Sequence, residues 1–225
     1  MEHFLLKISI MLVPGMFAIT CHEVAHGYVA WRLGDPTARM LGRLTLNPLK
    51  HIDIFGVVMI FLIGIGWAKP VPVVYENLRD PKKDMVWIAA AGPITNILLA
   101  AISAILLRVL CQAEVLELFA ASAFLIEPLL KMLAFSVYIN VLLAIFNMIP
   151  VPPLDGGRVL TGLLPYRQSA ALSRIEPFGM FIIVVLVFFT NIFSYVISPI
   201  LHIIIDLLAG PYSGFVFGAL ELMMR

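Results

Sequence analysis

The chain has 225 residues, a formal net charge of +1 at pH 7, 61% hydrophobic and 13% charged residues, and a mean hydropathy of +1.01. Soluble domains carry about 45–50% apolar and about 25% charged residues, so this composition excludes an ordinary soluble protein and indicates an integral membrane protein. The near-neutral charge argues against a nucleic-acid partner, and two cysteines, Cys21 and Cys111, do not form a disulfide framework.

The first apolar stretch predicts a membrane-spanning helix from about residue 8 to residue 33, which Gly34-Asp35-Pro36 ends. Pro14-Gly15 is a site for a kink in this helix. The stretch after it is rich in Arg and Lys, so the positive-inside rule places that stretch in the cytoplasm and the N-terminus outside. No cleavable signal peptide is expected, because the apolar stretch runs too long for one.

This first helix contains the H-E-x-x-H pattern His22-Glu23-Val24-Ala25-His26. Residues four apart share a helix face, so the two imidazoles can hold one Zn²⁺. Glu23 lies about 100° around the helix from His22, close enough to act on a water molecule without being a ligand. In soluble helices the same pattern also occurs by chance, with ordinary surface or core histidines.

That alternative is weaker inside a hydrophobic helix, because only a partner or a metal offsets three polar groups there. A Glu at mid-membrane costs about 2.5–3.5 kcal/mol and usually marks function. His26 lies six residues before Arg32, about 10 Å along a helix, so we expect the site nearer the cytoplasmic face. Cys21 is adjacent to His22 and faces another direction, so we expect it to pack rather than bind.

Residues 52–66 are apolar but shorter than the roughly twenty residues that span a bilayer, and basic residues flank them on both sides. We expect a re-entrant or β-hairpin-like segment near residues 44–75. The alternation of Val and Pro at 71–74 suits an edge strand, where the missing N–H of proline is tolerated. Such a strand could capture a substrate by strand addition.

The remaining sequence predicts spans at about 85–107, 129–148, 178–197 and 198–222, the last interrupted at Gly210-Pro211. A short outer linker is expected at 108–117, followed by an interfacial stretch at 119–125 that Glu127-Pro128 separates from the next helix. The fold class is therefore an all-α polytopic membrane protein with about five to six transmembrane helices. We expect a single domain over residues 1–225, with a core at about 8–160 and C-terminal helices at about 175–222.

A catalytic zinc site usually has three protein ligands and one water, so a third ligand is needed. Asp155 follows a proline-rich stretch just past the cytoplasmic end of a predicted helix. A rigid, non-helical loop can bring an acid towards a metal there, and Gly156-Gly157 allow close backbone approach. The alternative is an ordinary Pro-Gly turn with a solvated aspartate.

Other histidines and acids offer weaker candidates. His51 and Asp53 lie at the start of the re-entrant segment. There they either contact the metal ligands without binding the metal or lie at the membrane interface. His202 and Asp206 share a face of the last helix, a spacing more typical of a hydrogen bond than of a second metal site.

Three motifs occur in order along the chain: His22-Glu23-x-x-His26, Gly92-Pro93-x-x-Asn96 and Asn147-x-x-Pro150-x-Pro152-Pro153-Leu154-Asp155-Gly156-Gly157. With these motifs, over about residues 15–160, the chain resembles the site-2 protease family of intramembrane zinc metalloproteases. The stretches Asn47-Pro48-x-x-His51-x-Asp53 and Gly66-Trp67-Ala68-Lys69-Pro70-Val71-Pro72-Val73 are similar to its compact prokaryotic branch, which has no PDZ or cystathionine-synthase-like domain.

The resemblance implies a single metalloprotease domain with one Zn²⁺ held by His22, His26 and Asp155, and with Glu23 as the catalytic acid and base. It also implies that Asn147 binds the substrate backbone or the oxyanion. Asn96 would have a structural or substrate-orienting role.

The implied reaction is hydrolysis of peptide bonds in or near the transmembrane segments of membrane-protein substrates, which must unwind locally. The implied location is a prokaryotic cell membrane, with the lipid bilayer as a partner and the active site nearer the cytoplasmic face. Neither the physiological substrate nor the oligomeric state follows from the resemblance.

Two other classes of membrane protein also place histidines and acids in apolar helices. A metal-ion transporter would show repeated halves and polar residues along several helices, whereas here the acids and imidazoles cluster near one face and no repeat is visible. A catalytically inactive membrane scaffold would have no need of Glu23.

Overall fold

The protein is described from a computed structural model, which covers residues 2–63, 66–112 and 123–224. The α-helices in these ranges are α1 (Glu2–Arg32), α2 (Thr37–Met40), α3 (Ile54–Ile63), α4 (Pro81–Leu110), α5 (Ala123–Asn147), α6 (Asp155–Leu163), α7 (Tyr166–Ser173), α8 (Glu176–Phe189), α9 (Ser198–Ala209) and α10 (Ser213–Met224). The same ranges contain no β-strand, and the predicted all-α class is confirmed.

Within the described residues, four stretches are long and apolar enough to cross a membrane: Leu6–Arg32, Pro81–Leu110, Phe124–Asn147 and Phe193–Leu222. Helices α7 and α8 meet at a bend of 68° and add a fifth crossing if they count as one span. The protein is therefore an integral, polytopic membrane protein, with four or five candidate spans in the described residues against the predicted five to six.

The C-terminal helix boundaries differ from the prediction. Helix α8 ends at Phe189, and a single turn of π-helix, Phe193–Ile197, leads directly into α9. The break therefore falls at about residues 190–192 rather than between 197 and 198. The predicted interruption at Gly210-Pro211 is confirmed, because Gly210 has a φ of +56° that favours glycine and begins a single 3-10 turn.

The predicted helix break at Glu127-Pro128 is wrong. Helix α5 runs through Pro128, which stands near its N-terminal end. A proline there removes only one backbone hydrogen bond, at a point where few have yet formed. Most of the predicted outer linker and interfacial stretch, residues 113–122, lies outside the described residues.

The segment predicted to re-enter the membrane contains the short helix α3, whose ten residues are too few to span a bilayer. An isolated antiparallel bridge joins Ile52 to Ala68 on its two flanks, which matches the hairpin-like expectation. The edge strand predicted at 71–74 is wrong, because these residues form no strand and have no ladder partner among the described residues.

The chain divides into two compact units. The terminal unit comprises Met1–Ala18, Asn96–Phe146 and Asn191–Arg225, and the central unit comprises Ile19–Thr95 and Asn147–Thr190.

The terminal unit has an apolar core of buried side chains from α1, α4, α5, α9 and α10. Alanines 100, 104 and 134 in this core are fully buried, and such small residues let membrane helices approach closely. Two polar pairs join α4 to α5, since Asn96 donates to Asn140 Oδ1 at 2.8 Å and the Ser103 and Ser136 hydroxyls are 2.8 Å apart. Polar contacts of this kind hold helices together where the bilayer offers no hydrophobic driving force.

In the central unit the turn after α1 is organised by Asp35, which is fully buried. One carboxylate oxygen accepts hydrogen bonds from the Thr37 amide at 3.0 Å and from Asn77 Nδ2 at 2.9 Å. The other oxygen accepts from the Val74 amide at 2.8 Å. Asp35 thereby fastens the end of α1 to the segment that precedes α4.

Burial of the Asp35 carboxyl acts to raise its pKa, but the hydrogen bonds from Thr37, Asn77 and Val74 outweigh burial and lower the pKa below the ordinary 3.8. Because the folded pKa is depressed, the carboxylate stabilises the protein above the unfolded value, and this stability is lost as the pH falls through the folded pKa.

We predict that Asp35→Asn lowers the free energy of unfolding by about 2 kcal/mol near pH 7, as expected when hydrogen bonds to a charged group are lost. The difference from wild type should shrink as the pH falls below 3.8, because the wild-type carboxylate then becomes protonated. Thermal unfolding in detergent at several pH values measures this difference. The control is Asp206→Asn at an exposed position of α9; an equal loss in both variants would contradict a special role for Asp35.

Candidate metal centre

Helix α1 presents His22 and His26 on one face, as the spacing of four predicts. The two rings are edge to face with centroids 4.6 Å apart, and their Nε2 atoms are 3.0 Å apart. His22 is buried and His26 is half-buried. The two ring nitrogens therefore point towards one place beside the helix.

Asp155 is the first residue of α6 and is also buried. The loop before it cannot continue α5 as a helix, because of its prolines at positions 150, 152 and 153. Gly156 and Gly157 allow the loop to fold tightly onto the start of α6, because a Cβ atom at either would lie 2.2 Å from loop backbone atoms. The helix N-terminus also favours a carboxylate at this position.

The three side chains converge. Asp155 Oδ2 lies 3.1 Å from His22 Nε2 and 3.3 Å from His26 Nε2. These three atoms form a nearly equilateral triangle, with the 3.0 Å separation of the two nitrogens as its third side. Among the described residues this is the one group of three or more His, Cys, Asp or Glu side chains that could hold a metal ion.

The protonation of His26 leaves its Nε2 free for a metal. Its Nδ1 lies 2.6 Å from the carbonyl oxygen of Ile88. Because a carbonyl can only accept, Nδ1 carries a proton, and whenever the ring is neutral its Nε2 presents a lone pair. Metal-binding histidines are commonly oriented by such a bond from their other ring nitrogen.

The triangle fits a metal ion in size and chemistry. Ligand atoms about 2.0–2.1 Å from a tetrahedral zinc ion are about 3.3 Å apart, close to the observed sides. Asp155 Oδ2 is buried and has no hydrogen-bond partner among the described residues. Lone pairs packed together in this way, away from water, need a cation or a shared proton between them.

Asp155 is suited to be the anionic member of the set. Burial acts to raise the pKa of its carboxyl, but the neighbouring His22 and His26 side chains outweigh burial and lower the pKa well below its usual range. The carboxyl is therefore ionised at neutral pH, as a metal ligand must be.

Gly92 of α4 lies directly against the histidine rings. A Cβ atom at this position would be 2.5 Å from both His22 Cε1 and His26 Nε2. Glycine is thus required for α4 to pass beside the two imidazole rings. The sequence singled out the Gly92-Pro93 motif, but its spacing alone did not show what Gly92 contacts.

Glu23 is half-buried and does not belong to the triangle. Its Oε2 accepts a hydrogen bond from the Val71 amide at 2.9 Å. Sequence reasoning missed this contact, because residues 23 and 71 are far apart in the chain and no pairing pattern links them.

The two asparagines singled out by sequence have different surroundings. Asn147 is the half-buried last residue of α5, at the start of the loop that leads to Asp155. Asn96 is fully buried in the terminal unit, where its amide donates to Asn140 Oδ1 and to the Ala18 carbonyl at 3.3 Å. These hydrogen bonds of Asn96 suit a structural role, while a role in orienting substrate stays a prediction.

His51 and Asp53 hold the re-entrant segment in place. His51 is buried, with Nε2 2.9 Å from the Thr45 carbonyl, and its own carbonyl accepts from the Lys69 amide at 2.9 Å. Asp53 Oδ1 accepts from the Gly56 amide at 3.0 Å at the start of α3. Neither belongs to the metal-binding triangle.

The weakest pair, His202 and Asp206, does not form a metal-binding group. The His202 ring stacks on Phe217 with centroids 4.3 Å apart, and its Nδ1 lies 2.8 Å from the Ser198 carbonyl. This arrangement is an ordinary hydrogen bond within a helix.

We predict that Gly92→Ala weakens metal binding, because its new methyl group must displace one of the two imidazoles. Zinc content of the purified protein, measured by mass spectrometry after chelator competition, should fall well below that of wild type. The matched control is Gly218→Ala in α10, where a Cβ would meet nothing within 4 Å. Unchanged zinc affinity in Gly92→Ala would mean that the histidines do not bind metal in the described arrangement.

The family model described as Peptidase family M50 matches residues 10–190. The chain is 40% identical to YwhC of Bacillus subtilis (strain 168) over 194 residues. This matched region covers 85% of this chain and 85% of the relative. It is 28% identical over 185 residues to Rip2 of Mycolicibacterium smegmatis, covering 80% of this chain and 67% of that relative. It is also 32% identical over 108 residues to MJ0611 of Methanocaldococcus jannaschii, covering 48% of this chain and 49% of that relative.

The names of these three relatives describe them as candidate zinc metalloproteases. No solved structure matches the chain significantly. The family match covers well over half of the chain and includes both histidines, Glu23 and Asp155. The chain belongs to peptidase family M50, the site-2 protease family of metalloproteases.

Proposed function

We propose that this protein is an intramembrane zinc endopeptidase that hydrolyses peptide bonds in or near the transmembrane segments of membrane proteins. The observation that supports this most strongly is the triangle of His22, His26 and Asp155, with sides of 3.0–3.3 Å, beside Glu23 on a helix long and apolar enough to span a membrane.

One Zn²⁺ is the metal that best suits two imidazoles and a carboxylate, and the names of the relatives agree with this choice. His22, His26 and Asp155 would hold the ion and leave one coordination position open. When bound, zinc supplies a Lewis acid and lowers the pKa of a water molecule to about 7.

Glu23 is the proposed general base and acid. It lies next to His22 in sequence but outside the ligand triangle, so its carboxylate is not needed to hold the metal. One of its oxygens accepts from the Val71 amide, which leaves the other oxygen for proton transfer. A positioned carboxylate of this kind contributes about 10²–10⁴-fold to hydrolysis.

Asn147 is the proposed donor to the developing oxyanion. It is the last residue of α5 and lies eight residues before Asp155 in the chain. A single donor of this kind is typically worth about 2.7–4 kcal/mol in the transition state.

The depth of the site supports a substrate that is embedded in the membrane. His26 lies six residues before Arg32 at the end of the candidate span, about 9 Å along the helix axis. The basic residues that follow favour the cytoplasm by the positive-inside rule, so we infer that the site opens nearer the cytoplasmic face. A substrate helix must unwind locally, since its carbonyl groups are otherwise hydrogen-bonded.

We predict that Glu23→Gln abolishes cleavage of a single-span model substrate, with a loss of at least about 10²-fold in kcat, while zinc content stays at the wild-type level. Gln can still accept from the Val71 amide but cannot take up the proton. Product release from a labelled substrate and elemental analysis of the same sample measure the two quantities.

The paired measurement also separates the alternatives. Cleavage by Glu23→Gln at a near wild-type rate would remove Glu23 from its proposed role. Zinc flux into vesicles without any product from the wild type would favour a transporter, and neither flux nor product would favour an inactive scaffold.

We predict that Asp155→Ala weakens zinc binding by more than about a hundredfold. Removing even a residue that only hydrogen-bonds to a metal ligand lowers metal affinity about 10–100-fold, and Asp155 would be a ligand itself. Chelator competition measures the affinity. The control is Asp206→Ala, which removes an exposed carboxylate on α9. Wild-type affinity in Asp155→Ala would assign the third ligand to another residue.

A further inference from the structure

The contact between Glu23 and Val71 depends on an unusual local sequence. Val71 stands between Pro70 and Pro72, so its amide is the one backbone N–H in this three-residue stretch. That N–H donates to Glu23 Oε2 at 2.9 Å. Hydrogen bonds to a charged acceptor are roughly twice as strong as neutral ones, so this bond fixes the orientation of the carboxylate.

Close packing against α1 keeps Val71 in reach of Glu23. Gly27 lies one helical turn beyond Glu23, on the same face of α1. A Cβ atom at Gly27 would lie 2.7 Å from Val71 Cγ1 and 2.8 Å from Leu44 Cδ2. Glycine at this position therefore lets the 69–72 segment rest directly on the helix that carries the catalytic carboxylate.

The 69–72 segment is anchored at its other end by Lys69. Arg43 Nη2 donates to the Lys69 carbonyl at 2.7 Å, and the Lys69 amide donates to the His51 carbonyl at 2.9 Å. Arg43 is 91% buried, since only 9% of its surface is exposed. Its Nε has no partner among the described residues, and a buried unsatisfied donor costs about 1–3 kcal/mol. Arg43 thus contacts the segment through a partly buried hydrogen bond to the Lys69 carbonyl.

We propose that the 69–72 segment is a positioning element for Glu23, with the Val71 amide holding the carboxylate and Arg43 holding the segment through the Lys69 carbonyl. Arg43 is a positioning residue and not a catalytic one. The proposal rests on the proposed function, because it assigns to these residues the task of aiming the base of that reaction.

The expected effect of disturbing this element lies in turnover rather than in metal or substrate binding. The zinc ligands are separate side chains, so the metal should stay bound when the segment is altered. A misplacement of a catalytic group by about 1 Å can cost 10²-fold in rate. A change in kcat at constant KM and constant zinc content is therefore the signature of the positioning role.

The first test compares Val71→Pro with Val71→Ala in the full-length chain, using a purified single-span model substrate. Proline removes the N–H and keeps bulk, whereas alanine keeps the N–H and loses bulk. We expect kcat to be at least about tenfold lower for Val71→Pro than for Val71→Ala, with similar KM and zinc content. Equal kcat values for the two zinc-loaded variants would overturn the proposal.

The second test compares Arg43→Met with Arg43→Lys. It does not depend on the Val71 variants, so it can be carried out even if Val71→Pro does not fold. Methionine keeps the apolar stem without a donor, and lysine restores a donor for the Lys69 carbonyl. We expect Arg43→Met to lower kcat at least about tenfold and Arg43→Lys to recover most of the loss. A lower melting temperature in Arg43→Met with wild-type kcat per zinc-loaded molecule would show a purely structural role and overturn the proposal.

Wild type and Glu23→Gln are measured in the same experiment. No cleavage by the wild type would refute the proposed function itself. Wild-type cleavage that Glu23→Gln abolishes, together with full kcat in Val71→Pro or in Arg43→Met, would refute the positioning element alone.

Discussion

The constraint on which this protein depends is the approach of three electron-pair donors, two imidazole nitrogens and one carboxylate oxygen, to 3.0–3.3 Å of one another, away from water. Such atoms repel unless a cation or a proton lies between them. The fold must therefore hold these three atoms together, and a bound cation would offset the repulsion between them. The helix spacing of His22 and His26 supplies two corners, and a proline-rich loop ending at the start of α6 supplies Asp155.

Glycines make this convergence sterically feasible. Gly92 lets α4 pass against the imidazoles, and Gly156 and Gly157 let the loop close onto α6. Gly27 likewise lets Val71 pack closely against α1 beside the Glu23 carboxylate. In each case a single Cβ atom would enter the space of a functional group or of the backbone that positions it. The arrangement of the polar side chains thus depends on glycines that take no part in binding or reaction themselves.

The sequence predicted what local periodicity determines. His22 and His26 follow from helix geometry. Asp155 was one candidate beside a rigid loop, and its place as third ligand was implied by the family resemblance. The strand at 71–74 was predicted wrongly because a strand needs a partner, and here the Val71 and Val74 amides bind the carboxylates of Glu23 and Asp35 instead. These bonds cross about 40–50 positions of the chain, so no local pattern encodes them. Asp35 was for the same reason expected only to end a helix.

The most direct test of zinc binding by His22, His26 and Asp155 is the zinc X-ray absorption spectrum of the purified protein. We predict a four-coordinate ion with nitrogen and oxygen neighbours at about 2.0–2.2 Å. The spectrum should also contain the outer-shell scattering of two imidazoles. A sulfur neighbour at about 2.3 Å, the distance of a cysteine ligand, would contradict it. So would a spectrum with one imidazole or none, because His22 and His26 would then not share a metal.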